Sequence, residues 1–260
     1  MPPTAAGRSN TLLCEADDVP VEVVNADSPA PVVLVCEHAG RSVPAALENL
    51  GLPGSSMDLH IAYDIGAADV ARRMAERLDA PLLLQPYSRL VIDCNRPVSA
   101  DDAVPAVSDG VEVPANRNLG PAARRQRIDE IFTPFHEAVS GLIDRFERRA
   151  FFAIHSFTRV LAGRDRAWDI GFVARRDRST PTALADRLLR LGPGLNIGMN
   201  EPYAIDDESD WTIPFHGERR GLSHSLIEIR NDHLGNERDC DRWAGYLSRA
   251  IGELVAGNAA

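Results

Sequence analysis

The chain contains no lysine; all 28 of its basic residues are arginine. That excludes Schiff-base and pyridoxal-phosphate chemistry, and with them the lysine of a phosphate-binding P-loop. No run approaches the roughly 20 apolar residues of a membrane span. The opening Met-Pro-Pro-Thr-Ala-Ala-Gly-Arg also lacks the apolar core of a secretory signal. The expectation is a cytoplasmic protein with no membrane partner. The four cysteines (Cys14, Cys36, Cys94, Cys240) have no paired spacing, and two lie within apolar runs. This favours reduced, buried thiols over a disulfide framework or a cysteine-type zinc site. No basic run exceeds two residues and the net charge is -10, which argues against nucleic acid, because neutralising phosphates needs a basic surface.

What is present is a repeated pattern. Residues 31–44 read Pro-Val-Val-Leu-Val-Cys-Glu-His-Ala-Gly-Arg-Ser-Val-Pro, an apolar run of strand length ending on an acid and an imidazole. Such a run must be covered on both faces, which predicts a central sheet with helices on each side. Ligands bind such sheets beyond the carboxyl ends of their strands, where His38 stands. The pattern recurs in Phe-Phe-Ala-Ile-His-Ser-Phe (151–157) and Ser-Leu-Ile-Glu-Ile-Arg-Asn-Asp (225–232). With 260 residues and 44% hydrophobic content, the reading is an N-terminal arm over 1–30 and one α/β domain carrying the chemistry over 31–260. Apolar periodicity predicts helices over 65–78, 120–149, 182–191 and 238–255. Residues 81–85 and 89–93 read as short strands, 98–118 as a long loop, and 205–222, with Asp206, Asp207, Glu208 and Asp210, as a loop over the site. His136 lies beside the apolar face of its helix and reads as structural.

His38, Asp64, His155 and Glu228 together suit metal chemistry. Two imidazoles and a carboxylate, with a position left for water, are a common ligand set for catalytic zinc, and a second carboxylate can take the water's proton. The same parts allow a Ser-His-Asp hydrolase through Ser156, although no Gly-x-Ser-x-Gly elbow is present. Cysteine catalysis at Cys36 or Cys94 is weaker, since both sit in strand runs. Taken alone, Asp64 also reads as a first-turn or capping acid, worth about 1 kcal/mol, and His60 is equally ambiguous.

Five blocks in register carry a resemblance: Cys-Glu37-His38-Ala-Gly; His60-Ile-Ala-Tyr-Asp64-Ile-Gly-Ala; Arg89-Leu-Val-Ile-Asp93-Cys-Asn95-Arg96-Pro97; His155-Ser-Phe-Thr; and Glu228-Ile-Arg230-Asn-Asp232. In this order they resemble the N-formylglutamate amidohydrolase family, over residues 31 to about 250. The resemblance implies a single three-layer α/β domain with a mixed central sheet, zinc-carboxypeptidase-like, with one zinc or other divalent metal ion. It implies His38, Asp64 and His155 as metal ligands, Glu228 as general base, and Asn95 with Arg96 as the grip on the substrate's carboxylate. Arg89 and Tyr203 are further candidates for substrate binding. Many relatives carry proline where this chain has Glu37, so Glu37 enters as an added ligand or as a group that orients His38. The implied activity is removal of a formyl or small acyl group from an N-formyl amino acid such as N-formyl-L-glutamate, so the expected partner is a small-molecule N-acyl amino acid. The alternatives are an aspartoacylase- or carboxypeptidase-like amidase on another acyl amino acid or small peptide, and a non-catalytic metal- or carboxylate-binding module. A domain of this size is compatible with a homodimer, and no exposed apolar stripe marks where.

Overall fold

The structure is a computed structural model that describes residues 11–206 and 210–257. Residues 1–10 of the N-terminal arm, and Asp207 and Glu208 of the expected loop over the site, lie outside the described residues. A seven-stranded mixed sheet forms the middle layer. Its strands are β1 (Glu22–Val24), β2 (Val32–Cys36), β3 (Leu82–Leu84), β4 (Ala150–Phe157), β5 (Ile170–Val173), β6 (Ile197–Met199) and β7 (Ser223–Arg230), in the spatial order β1-β3-β2-β4-β7-β5-β6. Strands β3, β2, β4 and β7 run parallel; β1 at one edge and β5–β6 at the other run antiparallel to them.

Alternation along the strands divides the core in two. Val32, Leu34, Phe152, Ile154, Ile227 and Ile229 face α1 (Ala67–Leu78), α4 (Ser179–Leu191) and α5 (Glu237–Gly257). Val33, Val35, Phe151, Ala153 and Leu226 face the opposite layer, built on α2 (Pro121–Arg127) and α3 (Thr133–Asp144). A π-helical turn, Ile128–Phe132, joins α2 to α3, so the long helical pattern is one continuous rod with a local bulge. Buried on both faces, each core side chain contributes about 1.5–3 kcal/mol through lost contact with water. This is the three-layer α/β arrangement with a mixed sheet that the sequence predicts. Among the described residues no helix is long and apolar enough to cross a membrane.

One predicted strand is absent. Residues 89–93 form turns, although Leu90, Val91 and Ile92 are fully buried. Their backbone groups are bonded by side chains from elsewhere: Asn116 Nδ2 donates to Leu90 O (2.8 Å) and the buried Arg127 guanidinium donates to Val91 O (2.8 Å). An apolar run held this way needs no neighbouring strand to satisfy its polar groups.

Candidate active site

The parallel strands deliver their ends to one place. Glu37, His155 and Glu228 each lie two residues beyond a side chain facing the α2–α3 layer (Val35, Ala153 and Leu226), so they share that face. Glu228 and His155 are register partners on adjacent strands. Asp64 arrives from the segment before α1, where its backbone N–H donates to His38 O (3.0 Å). Its side chain does not cap α1. The N-cap is Gly66, at φ 81°, where a Cβ would lie 2.5 Å from that of Leu234. That frees the Asp64 carboxylate for the site.

His38 Nδ1 lies 3.3 Å and His155 Nδ1 2.8 Å from Asp64 Oδ2. Potential ligand atoms of these three buried residues all lie within 4.8 Å of one another, so the group could hold a metal ion. The far nitrogen of each ring is held by a further carboxylate. His38 Nε2 meets Asp93 Oδ1 at 2.7 Å, and His155 Nε2 meets Glu37 Oε2 at 3.0 Å. Carboxylates thus face both nitrogens of each ring, which favours the protonated imidazolium in the absence of a cation; with a cation in the ligand group, each Nε2 would keep its proton on Asp93 or Glu37 and each Nδ1 would be free to coordinate. Glu37 therefore orients His155, where the expectation was His38, and it stands on the side of that ring away from Asp64, outside the ligand group. Asp93 orients His38.

The cluster is short of positive charge. Four buried carboxylates (Glu37, Asp64, Asp93, Glu228) face two imidazoles and the Arg89 guanidinium, whose NH2 donates to Asp93 Oδ2 at 2.6 Å. Burial works against every charge here, yet the neighbours prevail for most. Asp93 is held well below the usual carboxylate range against its burial by Arg89 and His38; Asp64 is held down by His38 and His155, and Glu37 mainly by His155. His155 is pushed well above the ordinary imidazole value by Glu37 and Asp64, and His38 is raised by Asp93 and Asp64. For Glu228, burial prevails: its carboxyl is pushed up to about 7. Its Oε2 has no hydrogen-bond partner among the described residues.

His38, Asp64, His155 and Glu228 line a cleft of about 300 Å³ with Arg89, Asn95, Arg96 and Tyr203. Arg89 NH1 lies 3.2 Å from His38 Nδ1 and 3.6 Å from Asp64 Oδ1, directly over the ligand group. Arg96 donates from Nε to Asp102 (3.0 Å) and keeps 22% of its side chain exposed. Asn95, which lines the cleft, also holds the neighbouring loop: Oδ1 accepts from Thr212 N (3.1 Å) and Nδ2 donates to Asp210 (3.2 Å). Tyr203 stands at the rim, its hydroxyl accepting from Arg166 NH1 (2.7 Å). The 201–203 segment reaches that position because Gly171, opposite Glu228, has no Cβ; one would lie 1.7 Å from Glu201 O. Of the predicted loop over the site, Ile205 and Asp210 line the cleft, while 213–217 and 218–220 are helical turns. His60 lies apart from the ligand group, 3.2 Å from Asp109.

Two alternatives fall away on geometry. Ser156 Oγ donates to Ile65 O (2.8 Å) and both His155 nitrogens face carboxylates, so no Ser-His pair exists there. Cys36 and Cys94 are buried, and burial raises both thiols well above their usual range. Sequence reasoning passed over Asp93 as a site residue, although it ends an apolar run just as Glu37 and His155 do.

A comparison with protein families matches residues 30–234 to N-formylglutamate amidohydrolase. Among solved structures, a gene product from Agrobacterium tumefaciens is similar at 36% identity and a TM-score of 0.88, covering 96% of this chain and 100% of that one. An N-formylglutamate amidohydrolase from Ralstonia eutropha shares the fold at 20% identity and a TM-score of 0.69, covering 93% of this chain and 100% of that one. A comparison with curated proteins returned no match. The chain belongs to the N-formylglutamate amidohydrolase family and is a hydrolase acting on amide bonds.

Proposed function

We propose that the chain is a metal-dependent amidohydrolase that removes a formyl or other short acyl group from an N-acyl amino acid. N-formyl-L-glutamate is the first substrate to assay because the family carries its name. The observation that carries the reading is the pairing of each imidazole's Nε2 with a carboxylate while both Nδ1 atoms turn to Asp64. Two nitrogens and one oxygen, in surroundings with more carboxylates than cations, fit a borderline dication such as zinc. His38, Asp64 and His155 would hold it. When bound, such an ion polarises a carbonyl and acidifies water.

The chain's own residues then have separable tasks. Glu228, with a carboxyl near pKa 7, is matched to accepting a proton from the attacking water and returning it to the leaving nitrogen. Arg89, over the ligand group, faces the negative charge that develops on the acyl oxygen. Arg96 grips the amino acid's carboxylate, a task suited to a planar guanidinium. Asn95 keeps Asp210 and Thr212 in place beside it. A non-catalytic binding module is disfavoured, because it has no use for a buried carboxylate poised near neutrality beside the ligand group.

Formate release from N-formyl-L-glutamate and other N-formyl amino acids, measured before and after chelation, tests the reading. Release that stops on chelation and returns with zinc is the expected result. Release that is indifferent to chelation would sink the metal assignment, and absence of release from every N-acyl amino acid would sink the substrate class.

A further inference from the structure

Behind the tyrosine at the rim of the cleft stands an arginine that is not itself among the cleft's lining residues. Arg166 follows the 160–165 hairpin that comes after β4, and only 8% of it is exposed. Each nitrogen of its planar fork is used: Nε donates to Thr158 O (2.7 Å), NH2 to Thr158 Oγ1 (2.5 Å) and NH1 to Tyr203 Oη (2.7 Å). The Phe157 ring lies against it, 5.1 Å from the guanidinium carbon. Among the described residues no carboxylate pairs with Arg166. A buried cation without an acid is costly to keep, and here it is spent on a tyrosine.

Tyr203 is 44% exposed, and the bond from Arg166 is the only one its hydroxyl makes among the described residues. A phenol carries a single proton. With Arg166 donating to the oxygen, that proton is left for an acceptor from the cleft. Burial and the Glu228 carboxylate hold the phenol above its usual value, so the proton stays on at neutral pH.

We propose that Arg166 is a positioning residue for substrate binding: it fixes Tyr203 and polarises its hydroxyl, so that the O–H donates to a carboxylate oxygen of the bound N-acyl amino acid. The assignment rests on reading the cleft as the site of N-acyl amino acid hydrolysis. An anionic acceptor suits the pair, because the guanidinium charge behind the phenol is uncompensated and hydrogen bonds in series strengthen one another. The acyl oxygen is left to Arg89, over the ligand group.

The test is a double-mutant cycle of Arg166→Met and Tyr203→Phe. Calorimetric Kd values for N-formyl-L-glutamate are measured in a Glu228→Gln background to suppress turnover, and kcat and KM with Glu228 intact. Each single change is expected to weaken binding by about tenfold or more and to appear in KM, with kcat held within about threefold. The double variant should bind no more weakly than Tyr203→Phe alone, because Arg166 acts through that hydroxyl. A merely structural arginine would weaken binding equally with or without the hydroxyl, and that result would overturn the proposal, as would an unchanged Kd in either single variant or a loss confined to kcat. Arg166→Lys, which keeps the charge and the aliphatic stem, repeats the cycle if Arg166→Met does not fold. If the wild type releases no formate, the hydrolytic reading fails while the Kd cycle still decides the role of Arg166; no binding of N-formyl-L-glutamate at all would overturn both.

Discussion

The chain buries two pairs of histidines, and they are opposite in character. His136 and His216 stack at 5.1 Å, with His136 Nδ1 2.9 Å from His216 Nε2 and His136 Nε2 2.8 Å from Cys94 O. A carbonyl only accepts, so His136 donates from Nε2 and accepts at Nδ1; both rings are neutral. Burial pulls them down to about 4 and about 2 respectively. His38 and His155 are equally buried, yet carboxylates on both sides of each ring move them upward. Burial by itself makes a histidine an inert piece of core. The ring of acids makes the second pair fit to hold a cation.

The strongest way to break that contrast is at Glu228. Glu228→Gln is expected to lower kcat by about 10²–10⁴-fold while zinc still binds. In the metal-free protein the same change should be stabilising. The folded carboxyl, near 7 because burial, with the nearby Asp64 carboxylate, outweighs the opposing pull of His155, His38 and Arg89, binds its proton more tightly than in the unfolded chain. It therefore opposes folding as pH rises from about 4.5 through 7, by an amount on the order of 3 kcal/mol at the upper end. Denaturant titrations at pH 8 and pH 4 measure this, with a gain at pH 8 that vanishes at pH 4. A smaller effect is expected at Glu37. Glu37→Gln keeps the shape but loses the charge that fixes His155, and zinc affinity should fall by about 10–100-fold; unchanged affinity would remove Glu37 from the site. The least effect on the chemistry is expected at the neutral pair. His216→Phe leaves His136 Nδ1 without its donor and should cost about 1–3 kcal/mol of stability, with zinc affinity unaltered.

The same contrast separates what the sequence discloses from what it hides. Strand ends are legible because an apolar run that stops on Glu37-His38, His155 or Glu228 states both its burial and its edge. Helices follow from period, and α1 or α5 needs little else. Pairings across the fold are not legible. Glu37 and His38 are neighbours in the chain, yet each holds or is held by a partner from another segment: Glu37 by His155 across two adjacent strands, His38 by Asp93 from a turn. That turn, 89–93, reads as a strand because its apolar residues are buried; the Asn116 and Arg127 side chains that satisfy its carbonyls come from more than 20 residues away. His136 reads correctly as structural because it lies beside an apolar helical face.

The most direct measurement is a calorimetric titration of zinc into the chelator-treated protein, repeated on Asp64→Asn. One equivalent bound by the wild type and none by the variant is the predicted result, since Asp64 is the carboxylate both Nδ1 atoms face. No zinc bound by the wild type, or undiminished binding by Asp64→Asn, would contradict the assignment of His38, Asp64 and His155 as the metal centre.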